Sequence, residues 1–226
     1  GPYEGDFTSP TVDGAFVPNE TEWTPPGGFF FDSDSSTAIS NTDDITTVYY
    51  GVDAEAFYVA VQASEDLSAK VGTPYSMAVL IDHKTILDTE LGTSLSDPAH
   101  GFTPPGEDFV GMQVARRVRA DFSGAEVKAV LEVSDGQGGF SPVGSHSVTL
   151  GGPQFGGIIL EFRIPFADLN LQGASDSLNF YVVAMEGDEV IDAAPSLKAK
   201  RVFDDVTNLV FVTFEVDATG NAIPLN

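Results

Sequence analysis

The residues best equipped for chemistry are acidic and lie together. Phe29-Phe30-Phe31 runs into Asp32-Ser33-Asp34-Ser35-Ser36, and Asp43-Asp44 closes the stretch. Counted from Asp32, side-chain oxygens fall at positions one, three, five and nine, with Asp43 at twelve. A hard cation such as Ca²⁺ takes six to eight oxygen ligands, and a loop of this kind supplies them. Thr37 stands where a helix-loop-helix calcium loop places glycine for its sharp turn. Two readings therefore stay open: a Ca²⁺ site on Asp32, Asp34, Asp43 and Asp44, or an acidic, solvated loop.

A second set of candidates is aromatic. Trp23, Tyr75 and Phe102 stand in loops or at strand ends, where an aromatic face packs on the C–H surface of a sugar while polar groups direct its hydroxyls. Arg116 and Arg117 are the charged candidates. Arg116 falls on the apolar side of its strand pattern, where an unpaired charge is costly, so it either snorkels at the strand end or lies in a concave polar site. Arg117 and Arg119 share the other side with Gln113, which makes that outward face the alternative binding surface. The sequence contains no nucleophile elbow, paired-histidine metalloprotease motif or phosphate loop. His83, His100 and His146 have no metal-ligand spacing.

The elements that must position these residues are strands. Ile45 to Tyr50 is rich in β-branched and aromatic residues, Gly51 to Ala54 carries turn formers, and Phe57 to Gln62 alternates. The alternation predicts a hairpin with Phe57, Val59 and Val61 in a core and Tyr58, Ala60 and Gln62 facing away. Tyr75 to Asp82 is nearly continuously apolar, as befits a central strand covered on both sides. Thr85 to Asp108 lacks strand signals, and Phe109 to Asp121 reads as one strand with Val110, Met112, Val114 and Val118 on a common face.

Val127 to Val133 and Phe140 to Val143 flank Ser134-Asp135-Gly136-Gln137-Gly138-Gly139, a hairpin turn. Ile158, Leu160, Phe162 and Ile164 alternate with Ile159, Glu161 and Arg163, which puts the first set in a core and the second facing out. Pro165 to Leu169 is a short helical turn, Leu178 to Met185 a buried strand, Val206 to Val216 the last strand and Asp217 to Asn226 a tail. About ten strands and almost no helix predict an all-β fold, an antiparallel sandwich of two sheets like an immunoglobulin or jelly-roll domain. Residues 12–226 are expected to form one domain, with 1–11 a tag remnant and disordered tail, because Gly1-Pro2 has the form of a protease scar.

Composition narrows the function. The 226 residues hold 34 acidic and 10 basic side chains, a formal charge of −24. Such a surface repels nucleic acid and anionic membranes, which bind through Lys and Arg, and it suits cations and neutral ligands. Without cysteine there is neither a disulfide nor a thiolate metal site. No apolar run approaches the ~20 residues a helical membrane span needs.

Val12-Asp13-Gly14, Trp23, Asp43-Asp44-Ile45 to Val61 and Tyr75 to Asp82 resemble the opening of carbohydrate-binding modules of the family 9 type, within the wider DOMON-like β sandwiches. Phe162 to Leu169, with Ile164-Pro165-Phe166-Ala167-Asp168-Leu169, resembles that family's late strand and turn. Leu178 to Val202 is similar to C-terminal modules of glucodextranase-type and amylopullulanase-type enzymes. Family 9 modules grip sugar between two Trp rings; this chain has one Trp, at the structural opening position.

The resemblance implies a non-catalytic module of a secreted, multidomain polysaccharide-active enzyme. It would act outside the cell or in the periplasm and bind a neutral polysaccharide or oligosaccharide, an α-glucan by similarity. Two alternatives remain. One is a DOMON-type haem domain for electron transfer, whose axial pair would set Met77, Met112 or Met185 against a His or Lys. The other is a Ca²⁺-dependent surface-layer or adhesion module.

Overall fold

The structure, a computed structural model, describes residues 9–15, 23, 28–31, 45–83, 93–95, 102–103, 113–154, 156–170, 175–194, 210–216 and 222–224. In chain order the strands are β1 (Gly28–Phe31), β2 (Ile45–Val52), β3 (Ala56–Ala63), β4 (Tyr75–His83), β5 (Thr93–Leu95), β6 (Phe102–Thr103), β7 (Gln113–Val114) and β8 (Arg116–Asp121). They continue with β9 (Lys128–Ser134), β10 (Phe140–Pro142), β11 (Thr149–Gly151), β12 (Ile159–Pro165), β13 (Ser175–Glu186), β14 (Glu189–Ala194), β15 (Val210–Val216) and β16 (Ala222–Pro224). Among the described residues the only helical pieces are the 3₁₀ turns Leu67–Lys70 and Phe166–Leu169. The second of these is the short helical turn expected after Pro165.

The strands form an all-β sandwich. The first sheet has the order β1-β2-β3-β12-β11, and the second β10-β9-β8-β4-β13-β15-β16, with β14 also on β13. All these pairings are antiparallel. β13 is long enough to change partner midway, pairing β15 through Phe180 and β14 from Val182. A small sheet, β6-β5-β7, draws β5 and β6 from the segment expected to lack strands and β7 from the start of the expected Phe109–Asp121 strand, and β16 lies within the expected tail.

The period of two explains the core. Val48, Phe57, Val59, Val61, Leu160, Phe162 and Ile164 come from the first sheet; Met77, Val79, Ile81, Leu131, Phe180 and Val182 come from the second. All thirteen are buried in one cluster. Apolar burial of this kind contributes roughly 1.5–3 kcal/mol per large side chain.

Three expectations need correction. Tyr58 and Ala60 do not face water: with Trp23, Tyr49, Ala56 and Ile159 they form a second buried cluster on the outer side of the first sheet. Ile158 packs against that cluster and not in the main core. Val114 does not share a face with Val118. The chain bends at Ala115, whose N–H bonds to the Ile81 carbonyl while Arg116 pairs with Ile81, so two residues oppose one and the alternation shifts. Val114 consequently joins Ala78, Leu80, Tyr181, Val183, Met185 and Val190 on the outer side of the second sheet.

The β2–β3 turn is fixed by one carboxylate. Asp53 Oδ1 accepts from the Glu55 and Ala56 N–H groups, each at 2.8 Å, and Oδ2 accepts from Tyr58 Oη at 2.7 Å and Ser9 Oγ at 2.5 Å. Ser9 and the buried Pro10 thus contact the sandwich ahead of residue 12. Partial burial pushes the Asp53 carboxyl up, but these donors outweigh it and hold it below its ordinary value. A depressed folded value means that the unfolded chain binds more protons. The contribution is therefore complete above the ordinary Asp value near pH 4 and is lost as pH falls through the folded one. Asp53→Ala is expected to cost about 1–2 kcal/mol at pH 7 by loss of these bonds. The difference from wild type in urea melts should shrink as the pH is taken below about 4.

Candidate functional site

The residues nominated from sequence do not converge. Trp23 has 0% of its surface exposed; its indole Nε1 donates to Glu161 Oε1 at 2.9 Å, and its ring meets Tyr58 edge-on at 6.4 Å. Tyr75 is buried in the main core, edge-on to Phe122 at 5.1 Å, with Lys70 Nζ 5.2 Å from its ring centroid. Neither ring presents a face to solvent, so in this conformation neither can stack on a sugar. The physical reason is shared: each ring closes a hydrophobic cluster. Phe102 lies in β6 opposite Leu95.

Arg116 is buried in the core-facing row between Ile81 and Val133, and its Nη1 donates to the Ala115 carbonyl at 3.2 Å. Met77 is a core residue and Met185 belongs to the outer cluster of the second sheet, while Met112 lies outside the described residues. Asp32, Asp34, Asp43 and Asp44 also lie outside the described residues. Among those that are described, no group of three or more His, Asp or Glu is placed to hold a metal ion. Asp192 is buried, and its Oδ2 accepts from Ile45 N at 2.6 Å.

Arg117 is the nominated residue around which a constellation does form. The β9–β10 hairpin sets its geometry. Asp135 Oδ1 accepts from Gln137 N at 2.7 Å and Gly139 N at 2.9 Å, and Asp135 N donates to the Gly139 carbonyl at 2.9 Å. Gly136 and Gly138 take φ of 73° and 92°, the left-handed region that suits glycine. The turn fixes Ser134 opposite Phe140 and Glu132 opposite Pro142, while β8 sets Arg117 opposite Glu132. Phe140, Glu132, Arg117 and Arg119 therefore share the outer face of the second sheet.

Glu132 is 2% exposed and takes three N–H donors from two guanidinium groups. Arg117 Nε and Nη2 reach its Oε2 at 3.1 and 2.5 Å, and Arg119 Nε reaches Oε1 at 2.6 Å. The Arg117 guanidinium carbon lies 4.4 Å over the Phe140 ring, within cation–π range. Its Nη1 is 4.0 Å from Met185 Sδ. Arg119 extends to Asp121 Oδ1 at 3.7 Å, where the two side chains are 24% and 28% exposed. Partial burial pushes the Asp121 carboxyl up, but Ser123 and the Arg119 and Lys128 charges outweigh it and hold it below its ordinary value.

The outer face is thus graded. β4 and β13 carry the apolar cluster; β8, β9 and β10 carry a polar strip in which a half-buried ring lies beside oriented guanidinium donors. Such a strip can bind a ligand that offers both an apolar face and hydrogen-bond acceptors. The outward pairing of Arg117 with Arg119 was legible in the alternation. Glu132 and Phe140 carry no such signal of their own; only the register across the glycine-rich turn places both on the same side.

No family model matches the chain, and no curated protein matches it. The resemblance carried by Val12-Asp13-Gly14, Trp23 and the Ile164–Leu169 turn is therefore a basis for proposal.

Proposed function

We propose that this protein is a non-catalytic carbohydrate-binding module of a secreted polysaccharide-active enzyme, and that it holds a neutral glycan, with an α-glucan the favoured class. The observation that carries this reading is the Phe140–Arg117–Glu132–Arg119 strip. Glu132 orients two guanidinium groups, Arg119 keeps part of its surface in solvent, and Phe140 supplies the apolar contact. Sugar recognition needs this combination, because a pyranose has C–H faces for a ring and hydroxyls for fixed donors. The overall charge of −24 supports a neutral ligand over a polyanion, which the chain would repel at long range. The sandwich fold and the resemblance to family 9 modules support the class; the similarity of the later strands to amylolytic-enzyme modules supports the α-glucan.

The test is affinity electrophoresis through soluble starch, pullulan, xylan and pectin, paired with a reducing-sugar assay. Retardation on a neutral glucan without new reducing ends is the expected outcome. Arg119→Ala and Phe140→Ala should each raise Kd about tenfold, which corresponds to the ~1.4 kcal/mol of a charge-assisted hydrogen bond or a stacked ring. Unaltered retardation in both folded variants would remove this face as the site, and release of reducing ends would overturn the class.

A further inference from the structure

The polar strip of the second sheet ends in an ion pair that is not a hydrogen bond. Arg119 Nη1 lies 3.7 Å from Asp121 Oδ1, beyond the ~3.2 Å reach of an N–H···O bond. A polar gap of this width is the span that a third oxygen bridges. The two side chains are 24% and 28% exposed, so the gap is open to solvent.

The pair is held from behind. Arg119 Nε donates to Glu132 Oε1 at 2.6 Å, and Glu132 is buried, so the guanidinium is anchored at its inner end. Asp121 Oδ1 accepts from Ser123 N at 3.0 Å, which ties the carboxylate to the chain just beyond β8. β8 itself is paired on both sides, to β4 through Ala78 and Ser76 and to β9 through Val130 and Lys128. Both residues therefore project from a backbone that two ladders fix.

Both also keep bonding capacity. A guanidinium has five N–H groups; Arg119 gives one to Glu132, and among the described residues no hydrogen bond leaves its Nη1 or Nη2. An ionised carboxylate has about four acceptor positions, more than Ser123 fills on Asp121. Arg117 differs, because its Nε and Nη2 both end on Glu132 and its guanidinium lies over Phe140.

We infer that Arg119 and Asp121 together select a vicinal diol, two hydroxyls on adjacent carbons of a pyranose: one accepts from the Nη edge of Arg119 and its neighbour donates to Asp121. The inference rests on the glycan-binding reading of the strip and names the feature of the glycan that is recognised. A hydroxyl is donor and acceptor at once, so a guanidinium alone or a carboxylate alone serves half of it. Phe140 cannot supply this selection, since every pyranose offers C–H faces to a ring. A site built to bond hydroxyls rejects an analogue that lacks them. An α-glucan carries such a pair, its secondary hydroxyls, along the whole chain.

Affinity electrophoresis of the intact chain tests this, through amylose and through amylose methylated either at its secondary hydroxyls or at its primary hydroxyl. The three polymers share one ring and one linkage. The primary-methylated polymer is expected to retard the protein as amylose does, and the secondary-methylated one to raise Kd about tenfold or more. Asp121→Ala should raise Kd about tenfold on amylose and leave it unchanged on the secondary-methylated polymer, where the proton that the carboxylate would accept is already gone. An unchanged Kd for Asp121→Ala on amylose, or an equal loss on both polymers, overturns the role of Asp121. Equal Kd of the wild type on the two methylated polymers overturns the diol and leaves the strip its glycan. No retardation by unmodified amylose overturns the α-glucan reading itself.

Discussion

Glu132→Ala is expected to lower the free energy of unfolding by about 3–5 kcal/mol, the cost of leaving a buried charge without its counter-ion. Arg117 is buried on the outer face of the second sheet, and its Nε and Nη2 both end on Glu132. Removing the carboxylate takes away both of these bonds from a buried guanidinium whose contacts with Phe140 and Met185 cannot replace them. Arg119→Ala cuts the same carboxylate's third bond, but Arg119 is part-exposed, so water takes over and the cost should stay near ~1 kcal/mol.

Urea denaturation measures both, with the midpoint moving and the slope constant. The decisive partner experiment is Arg117→Met with Glu132→Leu. If the single-variant loss comes from an uncompensated charge, the apolar pair should return most of it. A pair as unstable as Glu132→Ala would mean that shape, not charge, holds this corner.

Phe180→Ala should cost about 3–5 kcal/mol for a different reason. Phe180 projects from β13 into the space between the sheets. It meets Tyr50 at 5.3 Å and Phe57 at 5.0 Å, both edge-on, and both on the first sheet. Its removal leaves a cavity lined by strands that are paired on both sides and have little freedom to collapse, and it breaks two favourable ring contacts. In thermal unfolding the loss corresponds to roughly 10 °C for a chain of this size. Phe180→Leu keeps most of the volume and should cost ~1.5 kcal/mol or less. A Phe180→Ala loss below 1 kcal/mol would show that the two sheets do not depend on this ring.

The inter-sheet core was legible because its residues have no second interpretation. Phe57, Val59 and Val61, or Leu160, Phe162 and Ile164, alternate with period two and are all strongly apolar. What was not legible is the cover. Alternation tells which face a residue takes, not what lies over that face. Tyr58 and Ala60 are compatible with either solvent or a core, and Glu161 has the form of a solvated residue until Asp13, Gly14 and Trp23 are placed on it. Val114 was misassigned because one extra residue at Ala115 inverts every side chain beyond it. β5, β6 and β16 hold two or three residues each, too few to establish a period.

The candidate strip was half legible. Arg117 and Arg119 carry their own signal through charge and spacing. Glu132 and Phe140 acquire theirs only through the β8–β9–β10 register. Trp23 and Tyr75 are large amphipathic rings in loops or at strand ends, where a sugar-binding ring would stand. The same property makes such rings effective at sealing a cluster.

The strand order carries a consequence for biosynthesis. β3 completes its sheet only with β12, and β4 only with β13; each pairing joins residues roughly a hundred positions apart. A chain emerging from the ribosome must therefore carry β3 and β4 with unsatisfied edges until most of the molecule has been made. Contacts this distant also place folding toward the slow, millisecond-to-second end of the range for single domains. Open apolar edges held for that long invite one nascent chain to pair with another. The abundance of carboxylates then has a use before any ligand is met: mutual repulsion between unfinished chains keeps those edges apart until β12 and β13 arrive to occupy them.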